Sequence, residues 1–515
     1  MICVKLFAVS PFENAFIINE DNSHFFIYRG ADQMNVEGVN SFIDGYATGK
    51  VTHLFLCPNG MRANFKSKTR ETIWDPYPLH PTPKAIEEYS NTPIDEKNQK
   101  QWWPWFSNAK RFHDQGLDPY KLMIDRCREK GISPWISMRM NDLHLVHDPN
   151  CFRISTFWKD NPQLRINPSP NAKGWKNLSF DFTHDEVREH QFAFFQELLE
   201  RYDCDGIELD WMRAPYFFKE GEGKKNAHLL TDFMRKVRKM IDEQEQKRGH
   251  KVLLGVRVPF HPDGATNSGM NAVLWAQEGL VDLIVPAAYH EATDFDAPIP
   301  LWREQIGGDL GKNFPIIPCA EKVLCSHKTS SKANLDNQLL YGFCDNMKTR
   351  GADGIYLFNW FDAGTRRKPN HTYEVLMHDG IDQKTILRKP RRYPVTYRDV
   401  EPNNQQISPK ELTDQSRIYQ IPVGTKPKSG NVSVIVGFAE HPNMKKTSFA
   451  AKLNDHLLDL PIEFTKHNTL GSSVKHAIQF SANPDHIVAG TNKIELTQIT
   501  GEPLRVLWVE ITVRP

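Results

Sequence analysis

Two acids, Glu208 and Asp210, stand two residues apart in YDCDGIELDWMR, the stretch from Tyr202 to Arg213. On a strand, Ile207 and Leu209 point one way while Gly206, Glu208 and Asp210 point the other, so both carboxyls share a face. A helical pattern precedes the stretch and another follows it, which is the setting of a strand buried in a parallel sheet. An unpaired carboxylate in a dry interior costs several kcal/mol, so the pair is expected at the strand's C-terminal end, facing water or a ligand. An internal ion pair with a neighbouring Arg or Lys is the competing reading. Paired carboxyls serve as acid and base, or as acid and nucleophile, in cleaving glycosidic bonds. Alternate strand residues lie about 6.5–7 Å apart and project in parallel, so Glu208 and Asp210 do not flank one bond. A partner must come from another strand, and Glu321 in IPCAEK and Glu291 in AAYHEATDF are the candidates.

The elements that would position these groups recur along the chain. Strand-like runs cover Phe25 to Tyr28, Val51 to Cys57, Ser133 to Met138, the 206–210 stretch, Val252 to Val258, Leu283 to Ala288, Phe314 to Cys319 and Gly354 to Asn359. Helical patterns lie between them, among them Val36 to Tyr46, Pro119 to Lys130, a helix opened by the capping box Thr183/Glu186, Lys225 to Gln246, Ala272 to Glu278 and Asn334 to Thr349. This alternation predicts an α/β fold, a (β/α)8 TIM-type barrel over residues 1–390 with its chemistry in the loops after the strands. A doubly wound open sheet is disfavoured, because no Gly-rich phosphate turn follows an early strand. Past Leu387 the helical pattern yields to RKPRRYPVTYRDVEPNNQQISP, read as a linker over 391–415. Residues 416–515 show short alternating runs broken by Gly, Asn and Pro, the pattern of an all-β sandwich.

At 515 residues the chain exceeds the usual limit of a single core, in keeping with two domains. With 64 Lys and Arg against 63 Asp and Glu, it offers no general field for nucleic acid. The eight cysteines are dispersed without a CxxC and read as core residues, so neither a zinc site nor a disulfide framework is indicated. No run of about 18 apolar residues suggests a membrane span. The opening MICVKLFAVSPFENAF lacks a charged leader region and a cleavage site; the expected compartment is the cytoplasm, or the periplasm or exterior where a leader has been removed.

Collecting the strand ends gives a polar rim around the acids: Arg29, Asn59, Arg139, Asp142, Arg213, Arg257, Tyr289, His290, Glu291, Asn359 and Trp360. Arginine suits bidentate grips on carboxylate or sulfate, which points to an anionic sugar; the alternative is that these arginines neutralise the acids internally. Trp211 and Trp360 offer flat apolar faces on which sugar rings can lie.

The stretch DGIELDW, closing a fourth barrel strand, resembles the family 10-like group of glycoside hydrolases, barrels whose fourth strand reads DGIxLD. It is also similar to the DGxDxDxE signature of family 18 chitinases, with Asp205, Gly206, Glu208 and Asp210 in register. The last position of that signature is Met212 here, which argues against substrate-assisted chitinase chemistry. Gly490 to Leu496, GTNKIEL, resembles the GxNxIxL turn and strand of jelly-roll domains appended to glycoside hydrolases. The first resemblance implies hydrolysis of a poly- or oligosaccharide, with a carbohydrate as the partner; no cofactor is expected, and with no HxH in YRGADQMN and the acid after strand five delayed to Asp263, no catalytic metal is expected either. In glycosidases with acids on strands four and seven, Asp210 would be the proton donor and Glu321 the nucleophile or base, with Glu208 orienting Asp210. In those using strands four and six, Asp210 would be the nucleophile and Glu291 the donor. The first arrangement is preferred here, because Glu321 directly follows an apolar strand. Rival readings are a metal-dependent barrel hydrolase, whose usual HxH is missing from YRGADQMN, and a non-catalytic carbohydrate-binding protein on the same scaffold.

Overall fold

The computed structural model describes residues 10–75, 96–146, 151–169, 171–172, 174, 176–289, 292–326, 332–360, 372–396, 411–412, 416–442 and 444–515. Eight strands form one parallel sheet: β1 Ala15–Glu20, β2 His53–Leu56, β3 Ser133–Arg139, β4 Gly206–Asp210, β5 Leu253–Pro259, β6 Leu283–Ala287, β7 Cys319–Glu321 and β8 Gly354–Phe358. Their order is β6-β5-β4-β3-β2-β1-β8-β7. The sheet closes between β6 and β7 through the bridge Ile284–Ile316, with Ile284 N–H donating to Pro315 O and Ile317 N–H to Ile284 O. This is the expected α/β barrel, nearly closed. Pro315 and Pro318 have no N–H to give a ladder, which explains why β7 begins at Cys319 and not at Phe314.

The first strand is not Phe25 to Tyr28. Those residues lie in a short helix, α1 (His24–Tyr28), whose Phe25 packs against Phe42 and Phe112, and the barrel strand is AFIINE, buried at every position between β2 and β8. Two short apolar runs compete here, and periodicity cannot separate them. The capping box at Thr183 is also not formed: the helix α2 (Asp185–Arg201) starts after His184, and Thr183 N–H donates to Asp181 Oδ1.

Barrel-facing side chains follow the period of two. At the N-terminal end, Trp135 on β3 stacks on Phe55 at 4.6 Å and spreads over Gly206, where a Cβ would lie 2.5 Å from its ring. The glycine of DGIELD therefore makes room for an indole in the barrel floor. Ile17, Val285, Cys319, Tyr356 and Phe358 complete this inner cluster. Around the barrel, helices such as α3 (Gly223–Arg248), which ends on the left-handed Gly249, bury their apolar stripe against the outer faces of the strands.

Antiparallel sheets follow. One contains β9 (Arg391–Pro394), β11 (Asn431–Phe438), β13 (His476–Ala482) and β15 (Leu504–Arg514); the other contains β10 (Arg417–Val423), β12 (Ser448–Leu453) and β14 (Gly490–Thr500). A separate apolar core lies between them. Arg391–Pro394, inside the stretch read as linker, is thus a strand paired with β15. Buried polar groups dock these sheets on the barrel. Asp345, on the helix α4 (Asn337–Thr349), accepts from Tyr393 Oη at 2.7 Å and Thr425 Oγ1 at 2.6 Å. Phe295 N–H donates to Thr396 Oγ1, and Ser326 Oγ to Leu507 O, so the sheets also hold the loops that follow β6 and β7. Among the described residues no helix is long and apolar enough to cross a membrane.

Candidate active site

Register sets the first layer of the site. Asp210 lies opposite Arg139 on β3 and Arg257 on β5, and side chains in register on parallel neighbours enter the barrel at one level. Arg257 grips Asp210 with both prongs, Nε to Oδ1 at 2.9 Å and Nη2 to Oδ2 at 3.0 Å, and Met212 N–H adds a third bond to Oδ1 at 2.9 Å. Its Nη1 lies 3.7 Å from Glu321 Oε1. One guanidinium therefore joins the acid of strand four to the acid of strand seven. Phe358 carries that guanidinium on its ring face at 3.9 Å, and Asn359, at a left-handed φ of 59°, holds Nδ2 3.4 Å from Glu321 Oε2.

Asp210, Arg257 and Glu321 are each 1% exposed. The acids expected to face water are instead inside, and the reason is the cation: a bidentate Arg supplies the pairing without which two carboxylates could not stay in a dry barrel.

Glu208 occupies the layer below. Its Oε1 accepts from Ser137 Oγ at 2.6 Å and Tyr356 Oη at 2.9 Å, while Oε2 has no hydrogen-bond partner among the described residues. Burial, with the charge of Asp210 adding to it, pushes this carboxyl up to about 8, against the pull of Arg257 and the two hydroxyls. The folded chain therefore keeps a proton that the unfolded chain releases at its ordinary value of 4.5. With more protons bound in the folded state, stability falls as pH rises through the window between those values. Glu208→Gln preserves shape without titrating. Its melting temperature relative to the parent should rise from about pH 4.5 to about pH 8 and level off above; a pH-independent difference would contradict the buried neutral acid.

A second relay lines the rim. Arg139 donates to Asp21 Oδ2 at 2.5 Å and to Asp142 Oδ2 at 3.0 Å. His144 Nδ1 meets Asp142 Oδ1 at 2.7 Å, and its Nε2 meets Arg213 Nη2 at 2.9 Å. Burial, helped by Arg153 and Arg213, pushes the imidazole down to about 4 although Asp142 pulls the other way. It is thus neutral at pH 7, donating from Nδ1 to Asp142 and accepting at Nε2 from Arg213, a tautomer assigned from these partners. Against the upward push of burial, Arg139 and Arg213 hold the Asp21 carboxyl well below the carboxylate range. Asp21 escaped the sequence reading because the first strand was placed too late. Ser137 and Tyr356 escaped it because neither carries a charge; their parity along β3 and β8 was the available signal.

The remaining candidates divide. Arg29 follows α1, not a strand, and lies over the rings of Phe25 and Phe42 at 5.3 and 4.3 Å. Asn59 is engaged by backbone, donating to Gly60 O and Arg139 O and accepting from Arg139 N–H. Trp211 is fully buried among Phe182, Phe217, Phe233 and Trp275, so it is a core residue and not a sugar platform. Trp360 follows β8 by two residues and is buried, and Tyr289, partly exposed, meets Tyr216 edge to face at 5.6 Å. His290 and Glu291 lie outside the described residues. Of the cysteines described, all but Cys325 are buried thiols. Among the described residues no group of three or more His, Cys, Asp or Glu converges to hold a metal ion.

No protein-family model matches the chain, and no curated protein does. Solved structures do. An endo-β-1,4-mannanase from Thermotoga petrophila is similar at 11% identity and a TM-score of 0.42, covering 96% of this chain and 97% of its own. A maltogenic α-amylase, AmyB, from Thermotoga neapolitana is similar at 10% identity and a TM-score of 0.39, with 98% and 99% covered. The GH36 α-galactosidase AgaB from Geobacillus stearothermophilus is similar at 10% identity and 0.36, with 94% and 55% covered. Likenesses this distant carry no argument about substrate or residues.

Proposed function

We propose that the protein is a retaining glycoside hydrolase acting on a poly- or oligosaccharide, with Asp210 as its nucleophile. The observation that carries this reading is the Arg257 fork. Three N–H groups, two from the fork and one from Met212, meet Asp210 purely as an acceptor, the arrangement suited to a carboxylate nucleophile, and Oδ2, with the single bond from Nη2, keeps a lone pair for attack at an anomeric carbon. This geometry supports the arrangement on strands four and six over the one on four and seven preferred from sequence. Glu291 would then be the donor, and Glu321 would anchor the far end of the guanidinium. The donor protonates the glycosidic oxygen while Asp210 forms a glycosyl ester, and water activated by the same donor releases the sugar.

A second reading is a carbohydrate-binding protein without turnover. It is favoured by the near-complete burial of Asp210, since a nucleophile must be reached. A screen against plant and algal polysaccharides, read as new reducing ends, separates the two. Release that survives exhaustive chelation supports the hydrolase and disposes of a metal-dependent one; binding without release from any member supports the binding protein.

A further inference from the structure

A guanidinium with donors to spare shares a phenyl ring with Arg257, the residue that grips the proposed nucleophile. Arg213 lies 5.4 Å from the centroid of Phe358, the same ring that carries Arg257. It is partly exposed, its Nη2 bonds to His144, and its Nε is buried with no partner among the described residues. The carboxylate whose field reaches it, Asp21, is already held by Arg139 at 2.5 Å. Its direction is fixed, because neutral His144 is itself oriented by Asp142. A second cation, Arg153, adds to the positive field on this histidine and lies over the rings of Trp102 and Trp105 at 5.5 and 5.1 Å. A planar fork with unengaged N–H groups, held in place and flanked by another guanidinium, matches two oxygens of one anionic group.

We infer that Arg213 anchors an anionic oxygen group of the sugar, a carboxylate or a sulfate ester, beside the bond to be cleaved; this rests on the reading of the site as a sugar cleft. His144 is its positioning residue. The test is titration calorimetry with two pairs of trisaccharides, a uronate and its methyl ester, and a sulfated oligosaccharide and its desulfated counterpart. Both the parent protein and Asp210→Asn are used, so that cleavage does not obscure binding. In one pair the charged member should bind about tenfold tighter or more, and the pair that shows it identifies the anion. Arg213→Gln should bring that ratio near one, and Arg213→Lys, which keeps the charge but not the fork, should leave part of it; Arg213→Lys carries the test alone if the Gln variant does not fold. Equal affinity within both pairs, binding to neither charged ligand, or a preference undiminished by the substitutions would overturn the anchor. Charge-dependent binding with no cleavage leaves the anchor standing and removes the hydrolase, while cleavage without charge preference does the reverse.

Discussion

Asp210→Asn is expected to lower turnover by about three orders of magnitude or more, with sugar binding still measurable. The substitution conserves shape but not acceptor capacity. An amide offers one oxygen where the Arg257 fork requires two, and its NH2 opposes the Nη2 that now donates to Oδ2. It also removes the charge that attacks the anomeric carbon and balances the developing cation. Steady-state rates on the best substrate of the screen provide the measurement. Asp210→Ala gives a second reading, because azide should enter the vacated space and restore turnover, as expected for loss of a nucleophile. Variants that keep more than a tenth of the parent rate would assign Asp210 to structure only.

The second large effect is on stability. Arg257→Met should cost about 3–5 kcal/mol, because it removes the cation that grips both oxygens of the buried Asp210 and reaches towards Glu321. Urea denaturation of the folded chain reads the loss directly. In Arg257→Met/Asp210→Asn, part of the loss should return, since the unpaired charge is gone, and the non-additivity of the cycle measures the coupling between these contacting residues. A single variant within 1 kcal/mol of the parent would show that the guanidinium does not organise the acids.

How far the sequence disclosed this arrangement depends on which physical signal each part leaves. The shared face of Glu208 and Asp210 was legible, because period-two alternation fixes it without knowledge of neighbours. The same rule carried the fate of Trp211, adjacent to Asp210 and so on the opposite face, among the helices. Arg257 was visible as a basic strand end, but its pairing with Asp210 is a matter of register between strands, which no local pattern specifies. The first strand was misplaced because FFIY and AFIINE are both short apolar runs, and only pairing with β2 and β8 selects between them. That one shift hid Asp21 and read Arg29, which follows a helix, as the end of a strand. The role of His144, in the loop after the third strand, depends on Arg213, delivered from the loop after the fourth, and no local pattern joins the two. The sandwich core followed its alternation, whereas β9 was hidden in a basic, proline-bounded stretch whose partner lies more than a hundred residues away.

The most direct test of Asp210 as nucleophile is covalent trapping. The parent protein is incubated with an activated 2-deoxy-2-fluoro glycoside of the sugar identified by the screen, digested with protease and mapped by mass spectrometry. A single glycosyl adduct on the peptide containing Asp210, lost in Asp210→Asn, is the predicted result. An adduct on the peptide containing Glu321, or sustained hydrolysis of the natural substrate with no adduct anywhere, would contradict it.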